Sequence, residues 1–159
     1  MRVLGIDPGT AITGYGLVEP VAGRLRAVDY GHISTGAGLS QAARLQHIYR
    51  CLRELMTRAR PSLVAIEELF FNKNSRTALA VGQARGIALL AAAEAGVEVV
   101  EYTPLEVKVA VAGYGRAPKA QVQSMVKVIL GMDRVPRPDD VADALAVAIC
   151  CQHTRRIMP

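Results

Sequence analysis

The chain has 159 residues, the usual size of one domain, so residues 1–159 are expected to form a single unit around its own core. A 51% hydrophobic share against 21% charged residues excludes a disordered chain and leaves enough apolar surface for an internal sheet. The formal net charge of +5 favours a polyanionic partner but does not by itself separate a nucleic-acid binder from any other small basic protein.

Val3 to Ile6 is a short apolar run ended by Asp7-Pro8-Gly9, and Thr13 to Val18 alternates with glycines before Glu19-Pro20. Together they predict a two-stranded hairpin, extended by a third strand from Leu25 to Ile33. Ser40 follows a glycine-rich turn and can cap a helix whose apolar positions Leu45, Ile48, Leu52 and Leu55 recur every three or four residues. The other face of that helix carries Arg44, His47, Arg50 and Arg53. Arg60-Pro61 ends it.

Leu63 to Ile66 reads as a fully apolar strand ending at Glu67. Asn74 or Ser75 can cap a long helix to about Ala95, closed by Gly96. Val97 to Tyr102 reads as another strand, Lys119 to Leu130 as a helix stopped by Gly131, and Asp139 opens a last helix to about Gln152. The order is β-β-β-α-β-α-β-α-α.

Cys51, Cys150 and Cys151 are odd in number and lack C-x-x-C spacing, so they read as buried thiols in a reducing cytoplasm rather than as a disulfide or zinc framework. The chain opens directly into an apolar strand without signal-peptide features, and the alanine-rich run near residue 90 is interrupted by Gln83, Arg85 and Glu94. A cytoplasmic protein with no membrane partner is expected.

The carboxylates carry the chemistry. Asp7 and Glu67 each end a buried strand, where α/β sheets bind ligands. Asp140 and Asp143 share one face of the last helix's first turn. Acids in a first turn often only cap it and complement its dipole, which accounts for Asp139 well and Asp140 adequately. Asp143 is different, because it is embedded among Val141, Ala142, Ala144, Leu145, Ala146 and Val147 and needs a compensating cation or hydrogen bonds. Two carboxylates about 4 Å apart repel by roughly 4 kcal/mol at an effective dielectric of 20, so converging acids call for a divalent ion. Hard oxygen ligands suit Mg²⁺ or Mn²⁺, and two such ions can activate water and stabilise a leaving oxygen in phosphodiester hydrolysis.

These residues fall within an ordered set: Gly5-Ile6-Asp7-Pro8-Gly9, Thr13-Gly14-Tyr15-Gly16, Ala65-Ile66-Glu67, Gly82-Gln83-Ala84-Arg85-Gly86, and Asp140-Val141-Ala142-Asp143-Ala144-Leu145-Ala146. From residue 3 to about 150 the chain resembles the RuvC Holliday-junction resolvases. The resemblance implies an α/β, ribonuclease-H-like fold with a five-stranded mixed sheet and helices on both faces. It also implies two Mg²⁺ or Mn²⁺ ions held by Asp7, Glu67, Asp140 and Asp143. Asp139 could also face Asp143 one turn away; the family pattern favours Asp140, where some members carry histidine.

Phe70 and Phe71, adjacent between a strand and a helix, cannot easily both be core. One can anchor the loop while the other stacks on an unpaired base or wedges a branch point, and by position the family's stacking aromatic corresponds to Phe70. Lys108 and Lys119 match lysines that the family places near the cleaved phosphate, with Lys119 offsetting transition-state charge. Lys73, Arg76 and Arg116 are candidate backbone contacts.

A four-way junction needs two opposed cuts, which a two-fold homodimer supplies. Ala78, Gly82 and Gly86 form a small-residue stripe that would either let two copies of the helix approach or pack on the chain's own sheet. The family uses this helix in its dimer and works with the RuvA and RuvB branch-migration proteins. The expected activity is a DNA endonuclease of recombination and repair, making paired symmetric nicks that leave 5′-phosphate ends. Three rivals share some of these features: an actin-like or sugar-kinase ATPase, a small RNA-processing nuclease of the YqgF type, and a non-catalytic junction-binding module. The first needs two such domains, the second should lack the Phe70-Phe71 and Gly82-to-Gly86 segments, and the third has no reason to keep four acids.

Overall fold

Val3–Asp7 forms the central strand β1 of a five-stranded sheet, and its residues alternate between two buried faces. The strand β2 (Ile12–Val21) lies antiparallel to it and turns through Ala22 and Gly23 into β3 (Arg24–Ser34), also antiparallel. Both turn residues have positive φ, 50° and 81°, the twist that a two-residue hairpin requires. In the computed structural model, residues 1–68 and 75–155 are described.

Helix α1 (Gln41–Ala59) begins at Ser40, whose side chain accepts a hydrogen bond from the Ala43 amide at 3.2 Å. β4 (Leu63–Glu67) then pairs parallel to β1, helix α2 (Ser75–Glu94) follows, and β5 (Glu98–Tyr102) pairs parallel to β4. Helices α3 (Pro104–Ala112), α4 (Lys119–Leu130) and α5 (Asp139–Arg155) complete the described elements. The sheet order is β3-β2-β1-β4-β5, mixed as expected.

Two differences from the sequence reading have physical causes. β2 continues through Pro20 because the ladder with β1 stops at Val3↔Val18, so past that point a residue without an N–H interrupts only one edge. Helix α3 was not expected, since its nine residues are largely apolar and present no clear periodicity. Its start is nevertheless encoded: the Thr103 and Glu106 side chains bond reciprocally to each other's amides, with Pro104 as the first helical residue.

One core layer packs Val3, Leu63 and Ala65 under α3, α4 and α5, and the other packs Leu4, Ile6, Val64 and Ile66 under α1 and α2. From Val141 to Gln152, α5 is buried on every side except at Asp143, so it is a core element rather than a surface helix. Gln152 holds its inner end by donating from Nε2 to the carbonyls of Met1 (2.8 Å) and Val18 (3.0 Å). Gln152→Leu should therefore cost about 1–3 kcal/mol in urea denaturation by leaving those carbonyls unpaired, and an unchanged midpoint would refute this role. Cys150 and Cys151 are buried as expected, but Cys51 is only half-buried, because it lies at the edge of the buried stripe of α1 beside His47. Among the described residues no helix is long and apolar enough to cross a membrane.

Candidate active site

Alternation along the strands decides where the acids point. Val3 and Leu63, Ala65 face the α5 side, so Asp7 and Glu67, each an even number of residues further on, project from adjacent strand ends to that same side. The helix that covers them lies almost directly on the sheet. A Cβ on Gly5 would stand 1.9 Å from the Ala144 carbonyl oxygen, one on Gly14 2.0 Å from that of Asp140, and one on Gly16 2.4 Å from the Leu145 side chain. Gly5 pairs with Gly16 and Gly14 with Asp7, so the bare patch is contiguous and lets α5 carry Asp140 and Asp143 to the end of β1. The loop that leaves Asp7 is tied by buried Thr13, whose hydroxyl donates to the Gly9 carbonyl at 2.7 Å and accepts from the Gly9 amide at 3.3 Å.

Electrostatics link all four acids. The Asp7 carboxyl is pushed up to about 7, first by burial and then by the charges of Asp143, Asp140 and Glu67, against which Lys119 acts weakly. Burial, with Asp143, also raises Glu67, while Lys108 and Lys119 oppose the rise. Asp143 is raised by burial in spite of a hydrogen bond and charge from Lys119. Lys119 donates to Asp143 at 3.0 Å and lies 3.6 Å from Asp139. Partial burial works against its charge, but these acids outweigh that and raise its pKa. A lysine as the first residue of a helix opposes the helix dipole, so α4 places Lys119 there for the acids opposite rather than for its own stability.

Asp140 is among the charges felt by Asp7, and both Asp139 and Asp140 are felt by Asp143; Asp139 is engaged by Arg137 at 2.5 Å and by Lys119. The acids share one electrostatic neighbourhood without forming a closed cage, since among the described residues no three His, Cys, Asp or Glu side chains converge tightly enough to hold an ion. Their donor set nevertheless fits a hard divalent cation, and burial that costs Asp7 its charge supplies the reason to bind one.

Glu67, Lys108, Lys119 and Asp143 line one cleft of about 270 Å³, walled by Pro104, Val107, Val122 and Ala146. Helix α3, absent from the sequence reading, brings Lys108 there. Arg116 and Arg76 are exposed, and the structure does not bring them into this cleft. Phe70, Phe71 and Lys73 lie outside the described residues. On α2, Ala78 is half-buried, and a Cβ at Gly82 or Gly86 would meet nothing within 4 Å, so those two glycines do not pack on their own sheet. Thr13 and the three glycines under α5 escaped the site reading. The motifs that contain them were visible, but close approach of a helix is a three-dimensional fact.

The family description "Crossover junction endodeoxyribonuclease RuvC" matches residues 3–151. The chain belongs to the RuvC family. A RuvC relative from Moorella thermoacetica is 66% identical over 150 residues, 94% of this chain and 90% of the relative, and one from Heliobacterium modesticaldum is 61% identical over 154 residues, covering 97% and 95%. Among solved structures, Thermus thermophilus RuvC in complex with a Holliday junction substrate superposes with a TM-score of 0.93 at 40% identity, covering 99% of this chain and 96% of that one. The yeast mitochondrial Holliday junction resolvase Ydc2, at 12% identity and TM-score 0.72 over 98% of this chain and 79% of its own, shares the fold. The expected ribonuclease-H-like architecture of the RuvC family is thus present.

Proposed function

We propose that this RuvC-family enzyme resolves four-way DNA junctions by paired symmetric nicks, hydrolysing phosphodiesters to leave 5′-phosphate ends. The observation that supports the reading is that Asp7 and Glu67 end adjacent strands on the side covered by α5, where Asp7 lies within the electrostatic reach of Glu67, Asp140 and Asp143. Asp7, Glu67, Asp140 and Asp143 would hold two Mg²⁺ or Mn²⁺ ions, which supply an activated water and a Lewis acid for the leaving oxygen. Around them, Lys119 is placed to offset phosphate charge once it leaves Asp143, and Lys108 flanks the same cleft. Phe70 or Phe71, with Lys73, Arg76 and Arg116, would hold the opened junction.

On a synthetic four-way junction with Mg²⁺ or Mn²⁺, Asp143→Asn is expected to lower the cleavage rate by about 100- to 1000-fold while binding survives. Equal cutting of linear duplex by the parent enzyme would refute junction specificity, and undiminished cleavage by the variant would refute the site. A non-catalytic binding module predicts no cutting by either.

The homodimer is proposed to form through α2, where Gly82 and Gly86 open outward between exposed Leu79 and Leu90. Gly82→Leu with Gly86→Leu should give a monomer in sedimentation. Each helix-interior glycine removed should also favour the helix by about 1 kcal/mol. A dimer that persists would place the interface elsewhere. Action in the cytoplasm with RuvA and RuvB completes the proposal.

A further inference from the structure

Arg85 lies on α2 between the two outward-facing glycines, yet its own side chain turns inward and is only 13% exposed. Its guanidinium donates to the Glu67 main-chain carbonyl at 3.1 Å and pairs with Glu101 at 2.5 Å. These acceptors sit on neighbouring strand ends, β4 and β5. Val99 packs with the α1–α2 layer and Glu101 is two residues further along β5, so Arg85 approaches the sheet from behind, on the face opposite α5. The β1–β4 register runs only to Ile6↔Ile66, which leaves the Glu67 carbonyl past the end of that ladder. Arg85 takes the place of the missing strand partner. A rigid fork with several donors can bridge a carbonyl and a carboxylate at once, whereas a lysine ammonium on a flexible stem holds neither direction.

We infer that Arg85 is a positioning residue: it pins the main chain at Glu67 from the far side of the sheet and so sets the aim of the Glu67 carboxylate, coupling the ligand to the helix that carries the open Gly82–Gly86 face. The inference rests on the proposed role of Glu67 as a metal ligand. It does not require Arg85 to touch DNA or an ion.

The test is calorimetric titration of Mn²⁺ into the full-length protein, alongside amide exchange in chelator. Arg85→Met is expected to weaken Mn²⁺ binding about 10- to 100-fold, the range for removing a group that orients a ligand. Without metal, the same change should speed exchange of the Glu68 amide, which donates to the Tyr102 carbonyl at 2.8 Å. Arg85→Lys should recover the melting temperature without recovering Mn²⁺ affinity, a split that a purely structural role does not produce. A folded Arg85→Met protein with parental affinity and parental Glu68 exchange overturns the inference. Should that variant fail to fold, Arg85→Lys and Glu101→Gln decide: reduced Mn²⁺ affinity in both supports it, and parental affinity in both overturns it. A Glu67→Gln control separates the two levels. If it leaves Mn²⁺ binding intact, the ligand assignment falls and the role of Arg85 with it; if it weakens binding while Arg85→Met does not, only the role of Arg85 falls.

Discussion

Gly5→Ala is expected to destabilise the protein by about 3 kcal/mol, the upper end for overpacking a core, and to take cleavage with it. The added methyl would stand 1.9 Å from the Ala144 carbonyl oxygen and 3.0 Å from the Ala148 Cβ. Neither obstacle is the free end of a flexible side chain, so α5 must lift from the sheet as a body. Gly14→Ala, 2.0 Å from the Asp140 carbonyl oxygen, should act at the turn that carries the acids and weaken Mn²⁺ binding even where the fold survives. Gly38→Ala is the control, since nothing lies within 4 Å of its Cβ, and it should change stability by no more than about 0.5 kcal/mol. Urea midpoints at constant m-value measure all three. If Gly5→Ala melts with the control, the close seating of α5 is not what the fold depends on.

The second large effect has the unusual sign of a gain. With chelator present, the parent protein should lose stability between pH 4 and pH 7, because the unfolded Asp7 releases its proton near 3.8 while the folded one keeps it to about 7. The contribution is full below the unfolded pKa, falls as pH rises through this window and stays low above it. At 1.36 kcal/mol per unit it amounts to about 4 kcal/mol. Asp7→Asn removes the share of the slope that belongs to Asp7 and leaves the smaller shares of Glu67 and Asp143, whose carboxyls are also raised, so in chelator at pH 8 the variant should be the more stable protein. Added Mg²⁺ should narrow or reverse the difference, since an ion that binds only the folded parent stabilises it by mass action. Identical pH profiles for the two proteins would show that Asp7 bears no such burden.

The acids at strand ends could be read from the sequence because position carries their meaning: Asp7 and Glu67 close apolar runs, and Asp143 interrupts an apolar helix. The choice between Asp139 and Asp140 could not, since both stand in one helical turn and both act on Asp143, although Arg137 engages Asp139. Helix α3 was missed although Thr103, Pro104 and Glu106 spelled out its start, because β-branched residues at 107, 109 and 111 blur a nine-residue pattern. Gly5, Gly14 and Gly16 were noted as parts of motifs, but bareness matters only against a partner 100 or more residues away. Arg85 was hidden for the same reason: its role depends on which strand ends lie beneath it.

The placement of α5 also bears on when the proposed site is completed during synthesis. The first three strands pair with near neighbours in the chain, whereas the acids of α5 reach the cluster from more than 130 positions downstream of Asp7. Local pairing is fast and distant pairing slow, so the meander can stand while the last helix is still being made. A ribosome-bound fragment lacking that helix has only half its acids and an uncovered glycine patch where they belong. On the proposed role of the four acids, docking of the last helix both finishes the core and completes the site.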